Sequence, residues 1–313
     1  MDTIIFILST TIMYSTPLIF TSLGGVISEN GGIINIGLEG LMYFGAFVGA
    51  AAAWFLGDPW LGFICAGAAC GALALLHGFA CITLKANNTI SGVAINFIGP
   101  GLALFISRLL FEGSTYTEPL GDRKMPCPLA NIFPEGSVLD RLLGSQYATA
   151  FIAFALVPTI WFILYRTRLG LRLRSVGEYP KAADTLGIKV FRTQYLAVVL
   201  SGIFAGFGGA SISIAISSVF NPTLISGQGF IALAALVFGK WKPQGAFFAC
   251  LIFGSATAIS IFMGWSMVQD IIPVPSQFLA MFPFVISLVI LVRFVGKAIA
   301  PSSDGIPYEI DSS

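Results

Sequence analysis

The sequence predicts an all-α protein, a polytopic membrane helix bundle of about 8–10 transmembrane helices, because apolar blocks of spanning length run through it. Three observations lead there. The 313 residues are 56% hydrophobic and only 10% charged, where a soluble domain carries about 25% charged residues. The apolar residues fall into blocks separated by short polar or Gly/Pro segments, and the basic residues gather on alternate connections. A chain with this little polar surface is dissolved by lipid rather than by water.

Apolar blocks mark nine spans, at 3–22, 41–56, 60–84, 90–110, 146–165, 193–217, 227–239, 244–264 and 277–296. Asp2 stands before the first block where a signal peptide would carry a basic region, so the block is read as a span. Orientation follows from Lys and Arg. The connection 166–192 carries Arg166, Arg168, Arg172, Arg174, Lys181, Lys189 and Arg192, which makes it cytoplasmic. Alternation outward from it brings Lys85, Lys240, Lys242, Arg293 and Lys297 to the same side. Arg108, Arg123, Lys124 and Arg141 lie in or beside the longest outer segment, 111–145. Four prolines there suit an ordered external loop or short surface helices. The C-terminus is then inside and the N-terminus outside. The segment 23–40 is neither plain loop nor plain span. The whole of 1–313 is a single transmembrane domain.

Glycine is abundant, with 35 residues. Helices in lipid gain little from apolar burial against each other, so close approach across small residues supplies the contact. A repeat is visible as well. Gly37-Leu38-Glu39-Gly40 leads into a span, a turn at Pro59 and a second span; Gly227-Gln228-Gly229 leads into a span, a turn at Pro243 and a second span. The first pair starts from the inside and the second from the outside, which is the arrangement of an inverted repeat around a central pathway.

Several chemistries are excluded. The net charge is +1, which argues against a nucleic-acid partner. A single histidine, His77, supports neither a His-based metal site nor a Ser-His-Asp triad. Cys65, Cys70, Cys81, Cys127 and Cys250 have neither a disulfide nor a metal spacing. No cofactor motif and no phosphate-binding loop occur, so the chain is not read as an enzyme or as an ATPase in its own right. Intramembrane acids, with Glu39 foremost, are too few for an obvious proton relay.

Three segments carry information. In the loop 166–192, Glu178 and Pro180 read as a helix start, Lys181 to Leu186 as two turns and Gly187 as a stop. Such a short charged helix is either a rigid knob for a cytoplasmic partner or a solvated connector. Ala182 and Ala183 would let a partner approach the backbone, and Glu178 and Asp184 offer charge-assisted contacts. In 220–243, Gly227 and Gly229 precede a short apolar run, and Trp241 between Lys240 and Lys242 suits an interfacial anchor. In 29–40, glycines and polar side chains at membrane depth indicate irregular backbone buried in protein or lining a cavity.

These three segments in this order, with Asn35-Ile36-Gly37-Leu38-Glu39-Gly40, Val176-Gly177-Glu178, Ala182-Ala183 and Gly229-Phe230-Ile231-Ala232 the most specific parts, resemble the permeases of bacterial ATP-binding-cassette importers. The superfamily is that of ribose and branched-chain amino-acid permeases, and the likeness is strongest to the shorter permease of nucleoside importers served by basic membrane lipoprotein-type receptors. It runs from Leu23 to Tyr308. Departures at Gln228, where relatives often carry a basic residue, and at Asn88, where they often carry an acid, bear on the substrate.

The resemblance implies a multi-pass permease of the bacterial cytoplasmic (inner) membrane that moves a nucleoside-like solute inward. Its implied partners are a cytoplasmic ATP-binding subunit, a second homologous permease in a heterodimer and an extracytoplasmic substrate-binding lipoprotein. Glu178, Pro180, Ala182, Ala183, Asp184 and Gly187 would form the coupling helix seated on the ATPase. Asn35, Glu39, His77, Asn96 and Phe97 are the candidates for the pathway, since a nucleoside needs amide or hydroxyl groups and an aromatic face. Riboflavin or a simple sugar are alternative solutes, and an ion-coupled secondary transporter is the reading from a different class.

Overall fold

The computed structural model describes residues 2–264 apart from 131 and 135, then 278–279, 281–286, 289 and 299–309. Within the described residues up to 264, ten α-helices follow one another: α1 Asp2–Asn30, α2 Leu38–Leu56, α3 Pro59–Gly78, α4 Asn88–Leu110, α5 Ala148–Arg166, α6 Arg168–Glu178, α7 Pro180–Thr185, α8 Val190–Ala210, α9 Gln228–Phe238 and α10 Pro243–Met263. Short π-helical turns extend α3 to Thr83 and α8 to Ser217. Among the described residues seven helices are long and apolar enough to cross a bilayer: α1 to α5, α8 and α10. The expected seventh span, 227–239, is the shorter α9, and the ninth, 277–296, falls largely outside the described residues.

Helix α1 is the central post, packed along α8, α10 and α9. It is longer than the expected span, because residues 23–30 continue it and only 31–37 are irregular. Its hydroxyls bond back to its own carbonyls, Thr16 to Ile12 O at 2.8 Å and Thr21 to Pro17 O at 3.0 Å, so they survive burial without water. Its polar end persists for a tertiary reason: Asn30 donates from Nδ2 to Val26 O at 2.7 Å and to Trp241 O at 3.1 Å.

Small residues draw α2, α3 and α8 together. A Cβ added at Gly45 of α2 would lie 2.6 Å from Gly206 Cα of α8, and one at Gly206 would lie 2.5 Å from Ala66 O of α3. Backbones this close gain dispersion contacts that larger side chains would forbid. Local signals set the helix starts. Asp58 Oδ1 accepts from Trp60 N at 2.7 Å with Pro59 in the first turn, and Asn87 Oδ1 accepts from Thr89 N at 2.9 Å.

The described part of 111–145 is strapped to the Ser217 end of the α8 extension by Met125 N to Ile214 O at 3.0 Å and Leu120 N to Ser218 O at 2.9 Å, with Leu120 and Met125 buried. Arg123 donates to Trp54 O at 2.6 Å and lies 4.6 Å above the Trp54 ring, which ties the segment to α2 as well.

Both expected helix pairs have the same parts in the same order: an irregular Gly-rich entry, a helix, a short turn and a Pro-opened helix. These are α2 with α3 and α9 with α10.

Candidate functional site

Four of the five pathway candidates converge on one place, the irregular backbone 31–37 and the start of α2. Irregular backbone inside a bilayer needs protein partners for its free N–H and C=O groups. Asn96 on α4 supplies two, accepting from Gly40 N at 2.8 Å and donating to Ile36 O at 3.0 Å. His77 on α3 supplies a third through Nε2, 3.1 Å from Ile34 O. A carbonyl only accepts, so Nε2 carries the proton. In the neutral ring Nδ1 then accepts from Ser91 Oγ at 2.9 Å. Asn35, fully buried, donates from Nδ2 to Ser201 Oγ on α8 at 2.9 Å. These side chains build the scaffold of the segment.

Glu39 has a more specific post. Its carboxylate accepts from Gly227 N at 2.7 Å and from Gly229 N at 2.6 Å, so it caps α9 across 188 residues of sequence. Helix α9 is 11 residues long and begins inside the protein, roughly 16 Å from the Trp241 turn at 1.5 Å per residue. Its N-terminal amides and dipole would otherwise attract an anion. Glu39 fills that role, so this helix end is neutralised from within. Gly229 is required there, because a Cβ would lie 2.5 Å from Glu39 Cα. Phe97 stands apart from the group: it is 76% exposed on the outer face of α4.

The second group is the loop between α5 and α8. Arg174 donates from Nε to Leu164 O at 3.0 Å and lies 4.7 Å over the Tyr165 ring, which folds α6 back on the end of α5. Leu173, Val176 and Gly177 face inward, while Arg168 and Arg172 face out. Gly177 abuts the Asn30 carbonyl, where any Cβ would collide with it. Tyr179 is the N-cap of α7, Pro180 its first residue, and Gly187 follows its end with φ of 80°, in the left-handed region that favours glycine.

Three details differ from the sequence expectation. Glu178 closes α6 instead of opening α7, because Tyr179 leaves helical geometry at φ −150°. Ala183 points inward, 2% exposed in a small cluster with Val176, Val190 and Tyr308, whereas Ala182 is on the outer surface. Asp184 and Glu178 already have partners within the chain. Asp184 Oδ2 accepts from the Tyr308 hydroxyl at 2.9 Å, and Glu178 Oε1 accepts from Ser302 Oγ at 2.9 Å.

Sequence reasoning missed that the C-terminal tail takes part. Ser303 N donates to Gly177 O at 2.9 Å and Gly305 N to Gly32 O at 3.1 Å, so residues 302–309 join α6 to the end of α1. Beneath the tail, Glu29 accepts from Trp241 Nε1. Burial, and after it the neighbouring Glu29 carboxyl, push the Asp304 carboxyl up to about 8. No sequence pattern announces contacts between residues more than a hundred positions apart; the polar composition of the tail was the only trace.

Among the described residues no group of three or more His, Cys, Asp or Glu is placed to hold a metal ion. The arrangement is that of a membrane bundle with a projecting loop, α6–α7, and a polar joint where Glu39 of α2 meets the head of α9.

The comparisons with known proteins agree with this build. The family described as branched-chain amino acid transport system / permease component matches residues 7–293. The guanosine ABC transporter permease protein NupQ of Bacillus subtilis is 44% identical over 312 residues, covering 96% of each chain. The nucleoside ABC transporter permease protein NupC of Lactococcus lactis is 42% identical over 98% of each chain. A second permease of that strain, the nucleoside ABC transporter permease protein NupB, is 25% identical over 76% of this chain and 67% of its own. No solved structure matches. The match across nearly the whole bundle, from α1 through α10, makes this chain a member of the branched-chain amino acid transport system / permease component family.

Proposed function

We propose that the chain is the membrane-spanning permease subunit of an ATP-binding-cassette importer for nucleosides. The observation that carries the reading is the likeness, end to end, to permeases named for guanosine and for nucleosides. ATP is hydrolysed by a separate cytoplasmic subunit docked on α6 and α7. A second homologous permease completes the pathway, a pairing supported by the likeness to both NupC and NupB of one Lactococcus lactis strain. A substrate-binding lipoprotein delivers the solute from outside, and the complex sits in the cytoplasmic membrane.

Two features of the structure support a neutral solute. The N-terminus of α9, the natural anion site in the bundle, is occupied by Glu39. No acid–base chain of the kind that drives proton-coupled transport is built on the described spans: Glu39 is committed to capping, and His77 to Ile34 and Ser91. Asn35, Asn96 and His77 are then framework for the pathway, holding the joint at which it opens, and Phe97 faces the lipid or the second permease.

The test is uptake of radiolabelled guanosine in cells without nucleoside uptake of their own, expressing this chain with its ATP-binding subunit, second permease and lipoprotein. Uptake is expected, with competition by unlabelled nucleosides and none by glucose or riboflavin. Competition by glucose or riboflavin but not by nucleosides overturns the substrate while leaving the permease class intact.

A further inference from the structure

The loop α6–α7 cannot be rigid on its own. A helix of six residues is marginal in water, yet a coupling element must move as one body to tilt the spans beside it. The C-terminal tail supplies the missing support. Ser303 bonds Gly177 O through its amide and Glu178 O through its hydroxyl at 3.1 Å, and Ser302 bonds the Glu178 carboxylate. Tyr308 inserts its ring, 7% exposed, against Ala183, Val176 and Val190, with the Phe191 ring 5.6 Å away. Its hydroxyl then holds Asp184. Glu309 ends the strap in an ion pair with Lys85 at 3.1 Å.

The tail thereby becomes one wall of a groove whose other wall is α7. The groove encloses about 430 Å³ between Tyr179, Pro180 and Lys181 on one side and Ser303, Ile306 and Glu309 on the other. Around it the surface is apolar where water would favour polar groups. In the groove Tyr179 is 62% exposed and Ile306 60%, and Leu186, at the other end of α7, is 81% exposed. Exposed apolar side chains that cluster beside a polar-rimmed groove mark a protein-docking surface.

We propose that the C-terminal tail, residues 302–309, is part of the surface gripped by the ATP-binding subunit, which seats in the groove between the tail and α7. The inference rests on the reading of α6–α7 as the coupling loop and extends it. A body that reaches α7 from the cytoplasm meets Ile306 at once, since the tail is bonded along the same face. The tail also ties that body to the cytoplasmic end of α1 through Gly305 and Gly32. The stroke of the ATPase then reaches the central post of the bundle as well as α5 and α8.

The experiment places a photo-crosslinking amino acid at Leu186, at Ile306 or, as an outer-face control, at Tyr116, in the assembled complex in membranes. Crosslinks to the ATP-binding subunit are expected from positions 186 and 306 and not from 116. A crosslink from 186 without one from 306, or lipid adducts alone at 306, overturns the role of the tail and leaves the coupling loop standing. No crosslink from either position overturns both. In parallel, Ile306→Arg is expected to lower co-purified ATP-binding subunit and uptake about tenfold, the loss of one interface anchor, with the permease level in the membrane unchanged. Full retention of both contradicts the proposal.

Discussion

Single residues carry the joints of this protein. Glu39 satisfies two amides at the head of α9. Removing the carboxylate strands them within the bilayer, at about 1–3 kcal/mol for each unpaired group. Glu39→Ala is therefore expected to lower the thermal midpoint of the purified complex and to reduce uptake strongly. Glu39→Gln, which keeps one acceptor, should fall between. A Glu39→Ala complex as stable and active as the parent would show that α9 is held by packing alone. Asp304 offers a test by pH. Its carboxyl is pushed up from about 4 to about 8 on docking of the tail, so the docked tail binds a proton that the free tail releases. Docking is strongest below pH 4 and weakens as pH rises toward 8. Asp304→Asn should flatten that slope, read as protease protection of the tail between about pH 5 and pH 8. Equal slopes in parent and variant would contradict a part for the Asp304 carboxyl in docking.

At the scale of elements, the loop α6–α7, the proposed coupling element, is bonded to the tail, which changes how its substitutions act. Ala183→Arg forces a charge under Tyr308 and is expected to release the tail and α7 together, so uptake and ATPase binding are lost through local unfolding. Leu186→Arg leaves that cluster intact and should remove the ATPase by surface contact alone, with protease protection of the tail retained. The spans test packing: Gly206→Leu pushes against Ala66 O and Cys70 and should separate α3 from α8, seen as loss of a monodisperse peak on size exclusion in detergent. Most of these elements were legible in the sequence. Long apolar blocks impose spans, and Pro59, Pro180 and Pro243 open helices because a first-turn proline costs no hydrogen bond. Residues 23–30 were not legible, since Ser28, Glu29 and Asn30 look like a polar exit, yet inside the bundle Ser28 donates to Ile33 O, Asn30 donates to Val26 O and Glu29 accepts from Trp241 Nε1. The polar candidates were recognisable as important. Their common purpose, holding one irregular segment, was hidden because Asn35, His77 and Asn96 meet only after α2, α3 and α4 have packed.

For the whole molecule, two runs of contacts lead from the proposed ATPase-docking face into the bundle. One runs through α6 and α7 to α5 and α8; the other runs through the tail to the end of α1 and, by Glu29 and Trp241, to the turn between α9 and α10. An importer of this build concentrates its solute only while a separate ATPase drives those paths. The most direct measurement reconstitutes the chain with its second permease, ATP-binding subunit and lipoprotein in vesicles and follows guanosine accumulation. Accumulation should require ATP and vanish when the phosphate loop of the ATP-binding subunit is inactivated. Accumulation driven by a proton or sodium gradient without ATP would contradict the account.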